Sequence, residues 1–339
     1  MATYKLNYAP VVQAAFDENE RTAELFNCRT IKDINHLVKN KLTDGLVLIS
    51  EAIQERKFAK AADDIAAHPE TKIILIAGPS SSGKTTFTQR LRVQLGTYGI
   101  MAMSLSMDNY FVDRVNTPLR PDGSYDFESP KAMDLDLFNR QIDLIAQGAE
   151  VETPYYDFRQ GKRVYRGDKI HLEKKQVLLV EGIHALNKDL VHFEDEKRVM
   201  RVYITVLNPL DRADGTNVNP ADVRLIRRIV RDNQYRNLNA MTTLNQWSGV
   251  REMEIARIYP SANFADYIVN TSLVYEVNVL KPYVLPLLND IKDISGEQGE
   301  LVRHLLGLVD EFEAMPMENI PLTSIMREFI GGSTFKKSL

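Results

Sequence analysis

The chain has 339 residues, 44% hydrophobic and 26% charged, which is enough apolar material for a sizeable core and far from a disordered composition. Forty-two basic against 46 acidic residues leave a formal charge of −4, so nothing draws the whole molecule to nucleic acid or an anionic membrane, and any polyanion site must be local. With Cys28 as its only cysteine the chain can form neither an intramolecular disulfide nor a multi-cysteine zinc site, and without a long apolar run it reads as a soluble, cytoplasmic protein with no membrane partner.

In chain order, residues 1–70 are polar with apolar positions at helical spacing, through Ile31, Ile34, Leu37 and Val38 and again through Phe58, Ala61 and Ile65, which predicts a helical accessory segment. From residue 71 the character changes. IILIA after Lys72 is a short, continuously apolar run of the kind buried on both faces of a parallel sheet. Similar runs at Met101–Met107, Val177–Val180 and Val199–Val206 alternate with helical patterns at Thr85–Leu95 and Leu135–Ile145, which predicts a doubly wound α/β domain over 71–295. Two strand-like stretches around Gly161, from Gly148 to Ile170, predict an inserted β-hairpin that projects over a site. Asn219-Pro220 followed by Asp222 is a helix start, and RLIRRIVRD continues it. Residues 296–339 read as a helical tail.

Gly78-Pro-Ser-Ser-Ser-Gly83-Lys84-Thr85 is a complete G-x-x-x-x-G-K-[ST] phosphate-binding loop between a buried strand and an amphipathic helix. Its glycines let the N–H groups around Ser80, Ser81, Ser82 and Thr86 curl about phosphate oxygens. The helix N-terminus adds positive potential, Lys84 neutralises β/γ charge and Thr85 can hold Mg²⁺. Glu181 ends the run VLLVE, where it is either a metal-associated acid or a capping carboxylate. Asp108 lies just beyond the second strand, at the carboxyl edge where such sheets bind ligands, and either accepts a hydroxyl proton or makes an Asx turn with Asn109. Arg224, Arg227, Arg228 and Arg231 share one helix face, with Arg236 following and Asp232 as the only acid among them. Either a triphosphate answers these charges or they form a solvated basic face. Trp247 reads as a packing anchor, and the six histidines show no metal-ligand spacing.

With these pieces in place, the sequence resembles the uridine kinase/phosphoribulokinase family, in its bacterial nucleoside kinase branch. The resemblance rests on IAGPSSSGKTTF, SMDNYF, YDFESPKAMD, TPYYDF, VLLVEGIHAL, RLIRRIVRD, FADYIVN, VYEVNVLKPY and REFIGGS in that order. It implies an ATP- and Mg²⁺-dependent kinase of a nucleoside 5′-hydroxyl, uridine- or cytidine-like, acting in pyrimidine salvage. A homo-oligomer is compatible with it. The resemblance makes Asp108 the general base, Thr85 and Glu181 the Mg²⁺ residues, Glu128 the ribose ligand and Tyr156 a neighbour of the base. It places Arg224 near the sugar, and Arg227, Arg228 and Arg231 on a lid over the ATP phosphates, at about 219–240. Two departures stand out: Glu128 replaces the usual Asp, and Gly161 stands where pyrimidine kinases carry a histidine. The alternatives are a kinase of another sugar or sugar-phosphate hydroxyl, as on the phosphoribulokinase side, or a catalytically decayed nucleotide-binding regulator.

Overall fold

The computed structural model describes residues 10–120, 123 and 125–335. Three helices come first, α1 (Pro10–Leu25), α2 (Ile31–Lys39) and α3 (Asp44–Ala67). The Thr30 hydroxyl accepts the Asp33 N–H while the Asp33 carboxylate accepts the Thr30 N–H, a capping box that fixes the start of α2. Strand β1 (Ile73–Ala77), helix α4 (Lys84–Thr97), strand β2 (Met101–Ser106) and helix α5 (Leu135–Ala146) follow. The hairpin is β3 (Val151–Asp157) with β4 (Lys162–Ile170), and the series resumes with β5 (Gln176–Glu181) and β6 (Val199–Thr205). Helix α6 (Pro220–Arg236) leads to α7 (Ala240–Met253), a π-helical stretch Glu254–Ile258 and a single turn, α8 (Tyr259–Ser261). Strand β7 (Tyr267–Asn270) and helices α9 (Glu276–Asn289), α10 (Gly296–Asp310) and α11 (Arg327–Ile330) complete the fold.

The central sheet has five parallel strands in the order β2-β5-β1-β6-β7. Strand β1 is central because every residue in it is apolar and can be buried on both faces. Ile74 and Ile76 pack with Phe58, Phe87 and Leu91 on one side, whereas Ile73 and Leu75 pack with Phe138 and Ile142 on the other. Each of these isoleucines contributes roughly 1.5–3 kcal/mol by its burial. The carboxyl ends of β1, β2 and β5 therefore converge on one edge, and the loops leaving that edge carry Gly78, Asp108 and Glu181. No helix among the described residues is long and apolar enough to cross a membrane.

Three regions differ from their sequence reading. Within residues 1–70, α3 is not set apart: Phe58, Ala61, Ala62 and Ile65 share a buried cluster with β1 and α4, and Arg90 pairs with Glu51 and Glu55 across the junction. Along 219–240, the segment expected as a lid contains a packed core helix, with Val223, Leu225, Ile226, Ile229 and Val230 buried and the helix packed on α7, α9 and α11. The arginines drew attention to one stripe, but the apolar residues between them fix the helix. In the tail, α10 and α11 are separated by a turn-rich stretch that folds back to the phosphate loop. Strand β7 is short, and its YIVN was legible only as part of a motif.

Candidate active site

The phosphate loop turns from β1 into α4 as its sequence requires. A Cβ on Gly78 would lie 2.2 Å from the Ile204 carbonyl oxygen, and one on Gly83, at φ +84, would lie 2.3 Å from Ile325 Cδ1. Ser81 holds a left-handed backbone, φ +59, which is costly for a non-glycine residue and characteristic of functional turns. Its hydroxyl and that of Ser82 are buried without a hydrogen-bond partner, as expected of groups that await a ligand. The Lys84 ammonium donates to the carbonyls of Gly78 and Pro79, at 2.8 and 3.1 Å. Burial lowers its pKa, while Glu181, Glu328 and Asp108 pull it back up and Arg231 opposes them.

Glu181 stands at the end of β5, and Thr85 Oγ1 donates to its Oε2 at 3.4 Å. Burial raises the Glu181 carboxyl to about 7, against the Lys84 cation and with help from Asp108 and Glu328. Acids crowded in this way are relieved by a divalent cation. Thr85 and Glu181 supply two oxygen ligands of the kind Mg²⁺ takes beside waters and phosphate oxygens. Asp108 lies in a 3₁₀ turn, Met107–Tyr110, capped by Ser106. Its side chain is exposed; desolvation by the surrounding protein raises its pKa, while Lys84 and Arg236 lower it. Burial likewise raises Glu128, opposed by Arg228 and Arg120 and supported by Glu254 and Asp108. Lys84, Thr85, Asp108, Glu128 and Glu181 thus share one electrostatic neighbourhood.

The arginine stripe divides. Arg224 is fully buried and pairs with Glu254, donating to Oε2 at 2.7 Å and also to the Ser80 carbonyl at 3.2 Å. Arg227 is equally buried: its Nε donates to Glu276 at 2.6 Å and its Nη groups reach the carbonyls of Ser81 and Thr271. Both reach the carbonyls of the loop and are answered by buried carboxylates, whereas the sequence reading placed Arg224 near the sugar and Arg227 on the triphosphate. The acids that answer them, Glu254 and Glu276, come from beyond α7 and from α9 and were not recognised in the sequence. Burial pushes the Glu254 carboxyl up, but Arg224 and Arg251 overcome it and hold it below the usual range. Its Oε1 also accepts the Ser80 N–H at 3.2 Å. Glu254 closes the string W-S-x-V-R-x-x-E that starts at Trp247, and the π-helical stretch that opens at Glu254 aims it inward. Arg228 and Arg231 remain on the site side: Arg228 donates to Ser80 Oγ at 2.9 Å, Arg231 lies near Lys84, and both pair with Asp232.

Tyr156, on the inward face of β3, is fully buried and edge-on to Phe111 and Phe158 with centroids 5.5 and 5.0 Å away; burial raises its hydroxyl's pKa and the neighbouring Arg114 guanidinium lowers it. Gly161, at φ +67, leaves room for Arg114, whose Nε a Cβ there would approach to 2.8 Å. A histidine at this turn would displace that arginine. His184 donates to or accepts from its surroundings only once, at the Glu128 carbonyl 2.9 Å from Nε2; an adjacent carbonyl oxygen makes Nε2 the protonated nitrogen. Its Nδ1 is buried and unpartnered.

A family model described as the phosphoribulokinase/uridine kinase family matches residues 73–278. A uridine kinase of Deinococcus deserti is 30% identical over 203 residues, covering 60% of this chain and 88% of the relative. One of Staphylococcus haemolyticus is 32% identical over 201 residues, covering 59% and 87%. A solved structure of a possible uridine kinase from Bacillus stearothermophilus superposes with a TM-score of 0.38 at 17% identity, over 59% of this chain and 89% of that one.

Proposed function

From the premise that the chain belongs to the phosphoribulokinase/uridine kinase family of kinases, we propose that it transfers the γ-phosphoryl group of ATP to the 5′-hydroxyl of a pyrimidine nucleoside. The observation that carries this reading is geometric: Glu181, in register with Ile76 of β1 and Ser106 of β2, accepts from Thr85 of the phosphate loop at 3.4 Å, and Asp108 follows Ser106 at the same edge of the sheet. The loop N–H groups and Lys84 hold the phosphates, with Arg228 and Arg231 beside them. Thr85 and Glu181 would hold Mg²⁺, which when bound would supply positive charge to offset that of the transferring phosphates. Asp108 accepts the acceptor hydroxyl's proton as that oxygen attacks phosphorus, and ADP leaves. Its raised pKa brings it closer to the range in which a base works at neutral pH. Glu128 orients the ribose, and the Phe111, Tyr156 and Phe158 rings form the wall against which a base packs.

A second reading, phosphorylation of a sugar phosphate, draws on the cations around the acceptor acids: Arg120 and Arg228 near Glu128, and Arg236 near Asp108. A coupled ADP-release screen separates the two, with ribo- and deoxyribonucleosides on one side and pentose phosphates on the other. Pyrimidine nucleosides are expected to drive turnover that Lys84→Ala abolishes. Turnover with pentose phosphates alone would reject the nucleoside reading, and turnover retained by a folded Lys84→Ala protein would reject the kinase site.

A further inference from the structure

The carboxylate of Glu328, far along the chain in α11, reaches the first turn of α4 and takes hydrogen bonds from Thr86 N at 3.1 Å and Thr86 Oγ1 at 2.7 Å. The first N–H groups of a helix have no partner within it, and in a phosphate loop they are the donors that cradle the nucleotide's phosphates. One of those donors, on the second threonine of GKTT, is already spent on a protein carboxylate. The same acid raises the pKa of Lys84 and of Glu181, so its charge is felt across the phosphate site.

We propose that Glu328 is an intramolecular stand-in for a donor phosphate, and that its competition with the phosphate nearest the nucleoside of ADP or ATP sets the donor affinity of this kinase. Phosphate and carboxylate cannot share the Thr86 donors, and two anions at that distance repel. Entry of the nucleotide therefore requires the Glu328 side chain to swing away. The helix N-terminus and Lys84 meanwhile exchange one anion for another and are never left bare.

The backbone around Glu328 is built to stay in place while the side chain moves. Ile325, Met326 and Phe329 are buried, and Ile325 lies against Gly83. Arg327 donates to the carbonyls of Met317 at 3.0 Å and Ile320 at 3.2 Å, tying down the preceding turns. Glu328 itself is only partly buried, so a rotamer change gives its charge to water.

The inference rests on the nucleotide-binding reading of the loop, and titration calorimetry of the full chain with MgADP and, separately, with uridine tests it. Glu328→Gln keeps the size and loses the charge, and Glu328→Ala frees the donors. The Gln variant is expected to bind MgADP about fivefold to tenfold more tightly than wild type, the scale of one anion removed from a partly buried helix N-terminus. The Ala variant should bind at least as tightly as Gln, and uridine affinity should stay the same in both. A wild-type protein that binds MgADP while both variants bind it equally or more weakly would overturn the stand-in and leave the loop reading intact. A wild type that binds no MgADP would end both. The Gln variant alone decides if truncation to Ala unfolds the chain.

Discussion

The two sides of the site are held together in opposite ways. On the phosphate side the loop backbone is over-determined, although the Ser81 and Ser82 hydroxyls are unpartnered: the carbonyls of Ser80, Ser81 and Ser82 accept from Arg224, Arg227 and Thr271, and the two arginines are locked to Glu254 and Glu276. On the acceptor side a lone two-stranded hairpin overhangs the edge of the sheet, with Tyr155, Phe158 and Tyr165 exposed. On this side Thr117 Oγ1 and His184 Nδ1 are buried without partners. A pocket for polyphosphate must keep its shape against concentrated charge, so rigidity there is supplied by the protein in advance. A pocket for a neutral, hydrogen-bonding ligand can leave donors for that ligand to satisfy. If this contrast is right, substitutions on the first side should cost folding or phosphate binding, and those on the second should cost acceptor binding.

The largest effect should fall where the two sides meet. Asp108→Asn removes the proton acceptor, and kcat should drop by about 10²–10⁴ with the KM values for ATP and nucleoside near those of wild type. Stopped-assay kinetics with both substrates varied measure this, and a rise in nucleoside KM at unchanged kcat would move Asp108 to the binding role. Next is the brace. Arg227→Met leaves the buried Glu276 carboxylate unanswered and should destabilise the fold by about 3–5 kcal/mol in urea titration. Arg231→Met, at a partly exposed position whose partner Asp232 keeps Arg228, should cost under about 1 kcal/mol of stability. Its penalty should instead appear as a higher KM for ATP. Equal stability of the two variants would erase the distinction between brace and ligand-facing arginines.

The same contrast explains what could be read from the sequence. The sheet was legible because β1 and β5 are continuous apolar runs, and a pattern buried on both faces needs no knowledge of its neighbours. The phosphate loop was legible because its chemistry is local, contained in eight consecutive residues. The role of the arginines was not. Whether Arg227 faces a nucleotide or a carboxylate depends on Glu276, 49 positions away, and sequence spacing carries no record of that contact. Counting charges from Arg224 to Arg236 left Asp232 as the sole acid, and the reading went to a lid. Glu328 escaped for the same reason, since REFIGGS marks a family but does not say that its acid lies on Thr86.

A smaller effect is expected at Tyr156. If its hydroxyl, beside the Arg114 guanidinium, also takes a bond from the acceptor, Tyr156→Phe should raise the nucleoside KM about fivefold, near 1 kcal/mol for one neutral hydrogen bond, with kcat and the ATP KM preserved. The thermal midpoint should change by less than the loss of one such bond would give, because Arg114 keeps its bond to the Phe158 carbonyl. A fall in stability at unchanged KM would mean that the hydroxyl serves the fold, and the acceptor side would then resemble the phosphate side more than its unpartnered groups suggest.

The smallest expected effect tests the far end of α6, away from either substrate. His304 on α10 bonds Asp222, in the first turn of α6, with Nε2 and Oδ2 2.7 Å apart. That hydrogen bond, opposed by partial burial and by the Arg212 cation and supported by the charges of Asp222 and Glu311, raises the imidazole above its ordinary 6.5. A histidine that binds its proton more tightly when folded stabilises the protein fully below the unfolded value, and loses that contribution as pH rises through the folded value. The pair is partly open to solvent, so its worth is screened to about 1 kcal/mol at most. Urea titrations of wild type and His304→Gln should therefore differ at pH 5.5 and converge by pH 9. A difference independent of pH would assign the contact to packing alone. Turnover per folded molecule should be the same in both proteins, because α6 is held at the loop by the buried Arg224 and Arg227 pairs whatever happens at its first turn. Loss of turnover in a stable His304→Gln protein would show that the brace transmits strain along the helix and that the phosphate side is less rigid than its ion pairs imply.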